Sequence, residues 1–173
     1  VIIIATIRGI TVKIGADTTG LDAALKDVNK TSREISKELR EVERLLKFNP
    51  HDTELLAQKQ KLLADQVENA REKLNRLKEV QAQVNQQFQE GKISEEQYRA
   101  FQRELIKTES QLKNYEKQLK AVNLQNHEFN QRTQEMGKKL QDAGKKLTDV
   151  GKTLSTRLTA PLAALGGVAA KSA

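Results

Sequence analysis

Tyr98-Arg-Ala-Phe101-Gln-Arg-Glu-Leu105-Ile-Lys-Thr108-Glu-Ser-Gln-Leu112 opens the stretch that decides the fold. From it runs a seam: Tyr98, Phe101, Leu105, Thr108, Leu112, Tyr115, Leu119, Val122, Asn126, Phe129, Thr133, Met136, Leu140, Ala143, Leu147, Val150 and Leu154. Steps of three and four alternate without a slip over 57 residues, the heptad pattern of helices that pack along one stripe. An unbroken helix of that length spans about 85 Å at roughly 1.5 Å per residue. A repeat kept so long imposes a left-handed supercoil and requires partner helices. With Tyr98 at position a, Asn126 also falls at a. A buried Asn there fixes register and oligomer state, whereas with Thr108 and Thr133 it equally marks a loosely packed stretch.

Two shorter seams precede this one. Leu21, Leu25, Val28, Ser32, Ile35, Leu39, Val42 and Leu46 predict a first helix. It ends at Phe48-Asn49-Pro50, because the residue before a proline is pushed out of the α region. Asp52 is placed to cap a second helix, whose seam reads Leu56, Gln60, Leu63, Val67, Ala70, Leu74, Leu77, Gln81, Val84 and Phe88. Leu55 and Leu62 widen its apolar face, as contact with more than one neighbour requires. Gly91-Lys92 breaks the pattern, and Ser94-Glu95-Glu96-Gln97 then matches a capping box, with Ile93 and Tyr98 placed as a hydrophobic staple. The connections 48–52 and 90–94 are short enough for antiparallel hairpins, or for kinks in an extended multi-chain rod. The expected fold is therefore all-α, long heptad-patterned helices in a coiled coil or helical hairpin bundle, with one short N-terminal β-strand.

That strand is read from Ile7 to Asp17, where Ile10, Val12, Ile14 and Ala16 alternate with Thr11, Lys13 and Gly15. A lone strand leaves backbone groups unsatisfied. No second one is evident beyond a short run at Val1–Ala5, so pairing with another chain is an open expectation. Asp17-Thr18-Thr19-Gly20 is read as a helix start. The organisation is thus a strand segment at 1–17, two helices at 18–90, a long third helix at 94–156, and a small-residue apolar segment at 157–173. Val1 stands where a Met would begin a chain, and Val1–Ile4 is not followed by the cleavage site of a secretory signal. Residues are expected upstream, and 157–173 is expected to begin a longer natural chain.

Composition agrees with narrow seams rather than a thick core: 37% hydrophobic, 31% charged, only 3% aromatic and no tryptophan. With no cysteine there is no disulfide framework or thiolate site. His51 and His127 stand apart, one in a turn and one on the long helix, without the partners a metal site needs. Glu95 and Glu96 suit a helix first turn for dipole reasons. Gly151-Lys152-Thr153 resembles the end of a phosphate loop, but Lys146 occupies the position of its upstream glycine and no strand precedes it. No catalytic, cofactor-binding or metal-ligating residue is assigned, and no enzyme activity is expected.

The net charge of +7 is unevenly placed: from Gly137 onward seven basic residues face only Asp142 and Asp149. This part repeats every seven residues over 137–154, as Gly137-Lys-Lys-Leu-Gln-Asp-Ala, Gly144-Lys-Lys-Leu-Thr-Asp-Val and Gly151-Lys-Thr-Leu. Each glycine costs a helix roughly 1 kcal/mol relative to alanine, so three at one position beside the seam suggest close backbone approach or a softened helix. Next to the small apolar stretch Leu158–Ala170, too short for the ~20 residues that span a bilayer, the lysines suit a membrane surface. They also suit non-specific phosphate contact or plain solvation. No sequence-specific nucleic-acid module is present, and no aromatic follows Phe129 to stack on bases.

The order of these parts resembles the opening of tail tape measure proteins from phages and prophages of Gram-positive bacteria. The resemblance rests on Ile7-Arg-Gly-Ile-Thr-Val-Lys-Ile-Gly-Ala-Asp-Thr-Thr-Gly-Leu21 followed by Asp-Ala-Ala-Leu-Lys-Asp-Val28. It continues through Glu43-Arg-Leu-Leu-Lys-Phe-Asn-Pro50, Gly91-Lys-Ile-Ser-Glu-Glu-Gln-Tyr98 and the Gly-Lys-Lys-Leu heptads leading to Thr159-Ala-Pro161-Leu. Single pieces match many coiled coils; the combination in this order is the specific part. The resemblance implies a virion component, assembled in the host cytoplasm, that fills the tail tube, sets its length and is released during DNA ejection. The implied partners are tail tube and tail tip or baseplate proteins, with host membrane contact. The seams themselves imply self-association into a trimer or other small oligomer, and no cofactor is expected. A coiled-coil stalk that delivers an apolar segment to a membrane is the alternative.

Overall fold

The computed structural model describes residues 7–166. In chain order these form β1 (Thr11–Ile14), β2 (Asp17–Gly20), α1 (Leu21–Ala24), α2 (Lys26–Phe48), α3 (Thr53–Gln89) and α4 (Glu95–Gly166). The chain is all-α with long helices and a short N-terminal sheet, as the heptads and the alternation predict. It divides into one unit ending at Asn126 and a second beginning at His127.

The first unit is an antiparallel hairpin bundle, which decides between the two arrangements left open by the sequence. Each connection has a local cause. Asn49 leaves the α region ahead of Pro50, and the Leu55 amide donates to Asp52 Oδ1 at 2.9 Å, capping α3. At the other end Gly91 takes φ +69°. Its amide bonds the Phe88 carbonyl at 3.1 Å and the Lys92 amide bonds that of Gln87 at 2.8 Å, the paired bonds of a Schellman ending. The capping box forms as read: the Ser94 amide donates to Gln97 Oε1 at 2.8 Å, and the Gln97 amide to Ser94 Oγ at 3.1 Å. Ile93 and Tyr98 join one apolar cluster, and Tyr98 also stacks on Phe88 at 4.3 Å between ring centroids.

The strand has a partner inside the chain. β1 pairs antiparallel with β2, Val12 opposite Thr19 and Ile14 opposite Asp17, across a two-residue turn that begins with Gly15 at φ +62°, glycine first as type II′ requires. Asp17–Gly20, read from sequence as a helix start, is therefore a strand. The apolar face of β1 lies within its own chain: Ile10 and Val12 are buried with Leu21, Leu25 and Val28, with Leu77, Val80 and Val84 of α3, and with Phe101 of α4. A separate cluster joins Leu39 of α2, Leu63 of α3 and Val122 of α4, flanked by Leu62, Tyr115 and Leu119. Asn126 is only half-buried and donates to Gln60 Oε1 at 2.9 Å; it is a pairing at the bundle margin rather than a buried register lock.

In the second unit α4 runs past residue 156, where the heptads predict its end, to Gly166. The stretch Val1–Ala5 and the end of the apolar segment at 167–173 lie outside the described residues.

Candidate interaction surface

α2 and α3 are locked by a polar ladder. Arg76 Nη1 donates to the Ala24 carbonyl at 2.8 Å, Asn69 Nδ2 to that of Val28 at 2.9 Å, and Gln66 Nε2 to that of Ser32 at 3.0 Å. The three carbonyls are four residues apart, the first at the end of α1 and the other two on α2, and every rung comes from α3. Arg76 also forks onto both carboxylate oxygens of Asp27, at 2.6 and 3.0 Å. This bond holds the Asp27 carboxyl below its ordinary range and raises Arg76 in turn. At the other end of α3 the Lys92 ammonium, with Gln86, holds the Glu90 carboxyl below its usual value. These are structural ion pairs at the bundle surface.

The free edge of β1 is also occupied. Gln83 of α3 accepts from the Lys13 amide at 2.7 Å and donates to the Lys13 carbonyl at 2.8 Å. One turn later Gln87 donates to the Thr11 carbonyl at 2.6 Å. Gln97 adds a bond from Nε2 to the Arg8 carbonyl at 2.9 Å. The Lys13 amide and the Lys13 and Thr11 carbonyls on this edge are thus taken by glutamine side chains within the chain, while β2 pairs with the other edge.

The residues weighed for chemistry are scattered. His51 is exposed in the α2–α3 turn, and His127 is exposed on α4 with its ring 3.0 Å from the Gln131 amide nitrogen. Glu95 and Glu96 are exposed in the first turn of α4, and 151–153 lie within that helix. Among the described residues no group of His, Cys, Asp or Glu is arranged to hold a metal ion, and no helix is long and apolar enough to cross a membrane. An open concavity of about 600 Å³ is lined by Ile14, Asp17, Thr19, Ala24, Arg76 and Glu79, but its guanidinium is already engaged by Asp27, Glu72 and the Ala24 carbonyl.

What the second unit offers is a stripe. Met136 is 64% exposed, Leu140 68% and Leu147 73%, at the a and d positions of the register that buries Phe101, Thr108 and Val122 in the first unit. A β-carbon built at Gly137 or Gly144 meets nothing within 4 Å, so neither glycine is required by a contact within this chain. Lys138, Lys139, Lys145 and Lys146 are exposed around the stripe. The periodicity made the stripe legible; the glutamine edge and the α2 ladder had no signal in sequence, since both depend on which helix neighbours which. No protein family model, no curated protein and no solved structure matches this chain.

Proposed function

We propose that this chain is a structural helical protein that assembles with further copies of itself through α4, and specifically the N-terminal part of a phage tail tape measure protein. The observation that carries the reading is the exposed continuation of the seam at Met136, Leu140 and Leu147. A heptad stripe that is three-fifths or more exposed in the monomer has the pattern of a buried one, and a second copy in the same register supplies what it lacks. The exposed glycines beside it remove side-chain bulk where two backbones approach, and the surrounding lysines stay at the rim. The tail assignment draws on the order of strand, heptads, glycine heptads and Thr159-Ala-Pro161-Leu. A helix is also a physical ruler, since its length is proportional to residue count.

Two experiments test the two levels. Sedimentation of the chain gives an oligomer, and Leu140→Asp with Leu147→Asp gives a monomer, because a buried unpaired charge opposes association; a monomeric parent chain refutes self-association. In the phage or prophage that encodes the chain, in-frame deletion of three heptads from α4 shortens the tail by about 30 Å. Tails of unchanged length refute the ruler while leaving the oligomer intact.

A further inference from the structure

The bundle contains two apolar clusters that share no residue. The larger one surrounds the hairpin and unites ten buried side chains. The smaller one, towards the α2–α3 turn, has only Leu39, Leu63 and Val122 buried, with Leu62, Tyr115 and Leu119 partly covered. Between them Val67, Ala70 and Leu74 of α3 are also buried, and polar groups enter the interior beside them. Gln66 is fully buried, its Nε2 bonded to the Ser32 carbonyl and to Ser36 Oγ at 2.8 Å, and its Oε1 has no partner among the described residues. Thr108 is 1% exposed and turns its hydroxyl back onto the Glu104 carbonyl at 2.7 Å. Lys73, also buried, pairs with Glu104. An apolar core transmits cooperativity through contiguous packing. A layer that mixes polar groups with Val67, Ala70 and Leu74 over two turns of α3, and holds an unsatisfied oxygen, thins that packing and lowers the cost of separating the two sides.

We propose that the turn end of the bundle opens as a separate cooperative unit while the hairpin end stays folded. The polar layer at Gln66, Lys73 and Thr108 is the boundary. The ladder from α3 to the carbonyls of Ala24, Val28 and Ser32 lies on the layer and the hairpin side of it. Beyond the layer α4 is held by the small cluster, by the Arg71–Glu116 ion pair and by the Asn126–Gln60 bond. Opening uncovers Leu112, Tyr115, Leu119 and Val122, which share the register of Met136, Leu140 and Leu147. The opened segment is therefore one that a second copy can take up in place of α2 and α3. That last link rests on the proposed self-association; the opening itself does not.

Hydrogen exchange measured by mass spectrometry on the whole chain tests it. Amides at Leu39, Leu63 and Tyr115–Val122 exchange at least about tenfold faster than those at Val80, Val84 and Phe101. Val122→Ala widens the gap by about tenfold more at Leu39 and Leu63 and leaves Val80 and Phe101 within about twofold of the parent. Gln66→Leu, which joins the clusters, brings the two ends together to within about threefold. Equal protection at both ends of the parent chain overturns the proposal, as does a Val122→Ala chain that loosens both ends alike. Oligomerisation failing by sedimentation, with the exchange gap intact, removes only the link to a second copy.

Discussion

Replacing Phe101 by alanine asks whether the hairpin cluster holds the first unit together. Phe101 is 1% exposed and is the largest fully buried side chain of that cluster, where β1, α2, α3 and α4 converge. Truncation removes the transfer free energy of the ring and leaves a cavity in the cluster of Ile10, Val12, Leu77, Val80 and Val84, none more than 1% exposed. Buried Phe→Ala changes cost about 3–5 kcal/mol, and the upper half of that range applies because the walls belong to four elements that cannot all collapse inwards. The assay is built into the sequence: Tyr98 and Tyr115 are its two tyrosines and it has no tryptophan. Both lie in the first unit, so tyrosine fluorescence follows that unit and ignores the rest of α4. With a urea slope of roughly 2 kcal/mol per molar, the midpoint falls by about 2 M. Phe48→Ala, at a site 85% exposed, is the control and moves the midpoint by less than about 0.3 M. A Phe101→Ala loss below about 1 kcal/mol would show that the cluster is not the core of the unit.

Three further outcomes are expected. Asp27 has a folded-state pKa lowered from 3.8 by Arg76; its contribution is fully present above that ordinary value and is lost as pH falls through the lowered one. The acid limb of a pH series of urea midpoints should therefore flatten in Asp27→Asn, and an unchanged limb counts against the pairing. Gly144→Ala should raise the helicity and melting temperature of α4, by about 1 kcal/mol, because its β-carbon meets nothing. Gly91→Ala should lower stability by about 1 kcal/mol, since φ is +69° there; the same sign for both glycines in thermal circular dichroism would contradict one of these geometries. Gln97→Ala removes the capping-box acceptor and the bond to the Arg8 carbonyl, and should cost about 0.5–2 kcal/mol by urea titration, with faster exchange in peptides covering 7–11. Loss of stability without that local change would mean that Gln97 acts on α4 alone.

The helices were legible because each hides one stripe and advertises it with a period. Leu63, Leu77 and Phe101 lie on predicted seams and are buried. Asp52 and Ser94 worked as helix-start signals because capping is local chemistry, settled within four residues. β2 escaped because Asp17-Thr18-Thr19-Gly20 has no apolar alternation: its burial runs from exposed to intermediate, and it exists because its backbone answers that of β1. The one available sign was Gly15 at the head of a two-residue turn. Asn126 takes the looser of its two readings because a seam position is buried only while neighbours last, and its partner Gln60 lies just one turn past the start of the α3 seam. The polar boundary within the bundle was equally hidden, since Gln66 lies off the seam and Thr108 looked like a weak seam residue. No catalytic group was expected, and the interaction surface was readable only as surplus periodicity.

The glutamines on β1 have a consequence for handling as well as folding. Side-chain amides at Gln83 and Gln87, one helical turn apart, take the place that a third strand would hold. A sheet flanked in this way offers a passing chain little template along the β1 edge. Alanine at both glutamines would remove the guard without touching the stripe, and a chain so altered should begin to gel or bind amyloid dyes at concentrations where its parent stays clear.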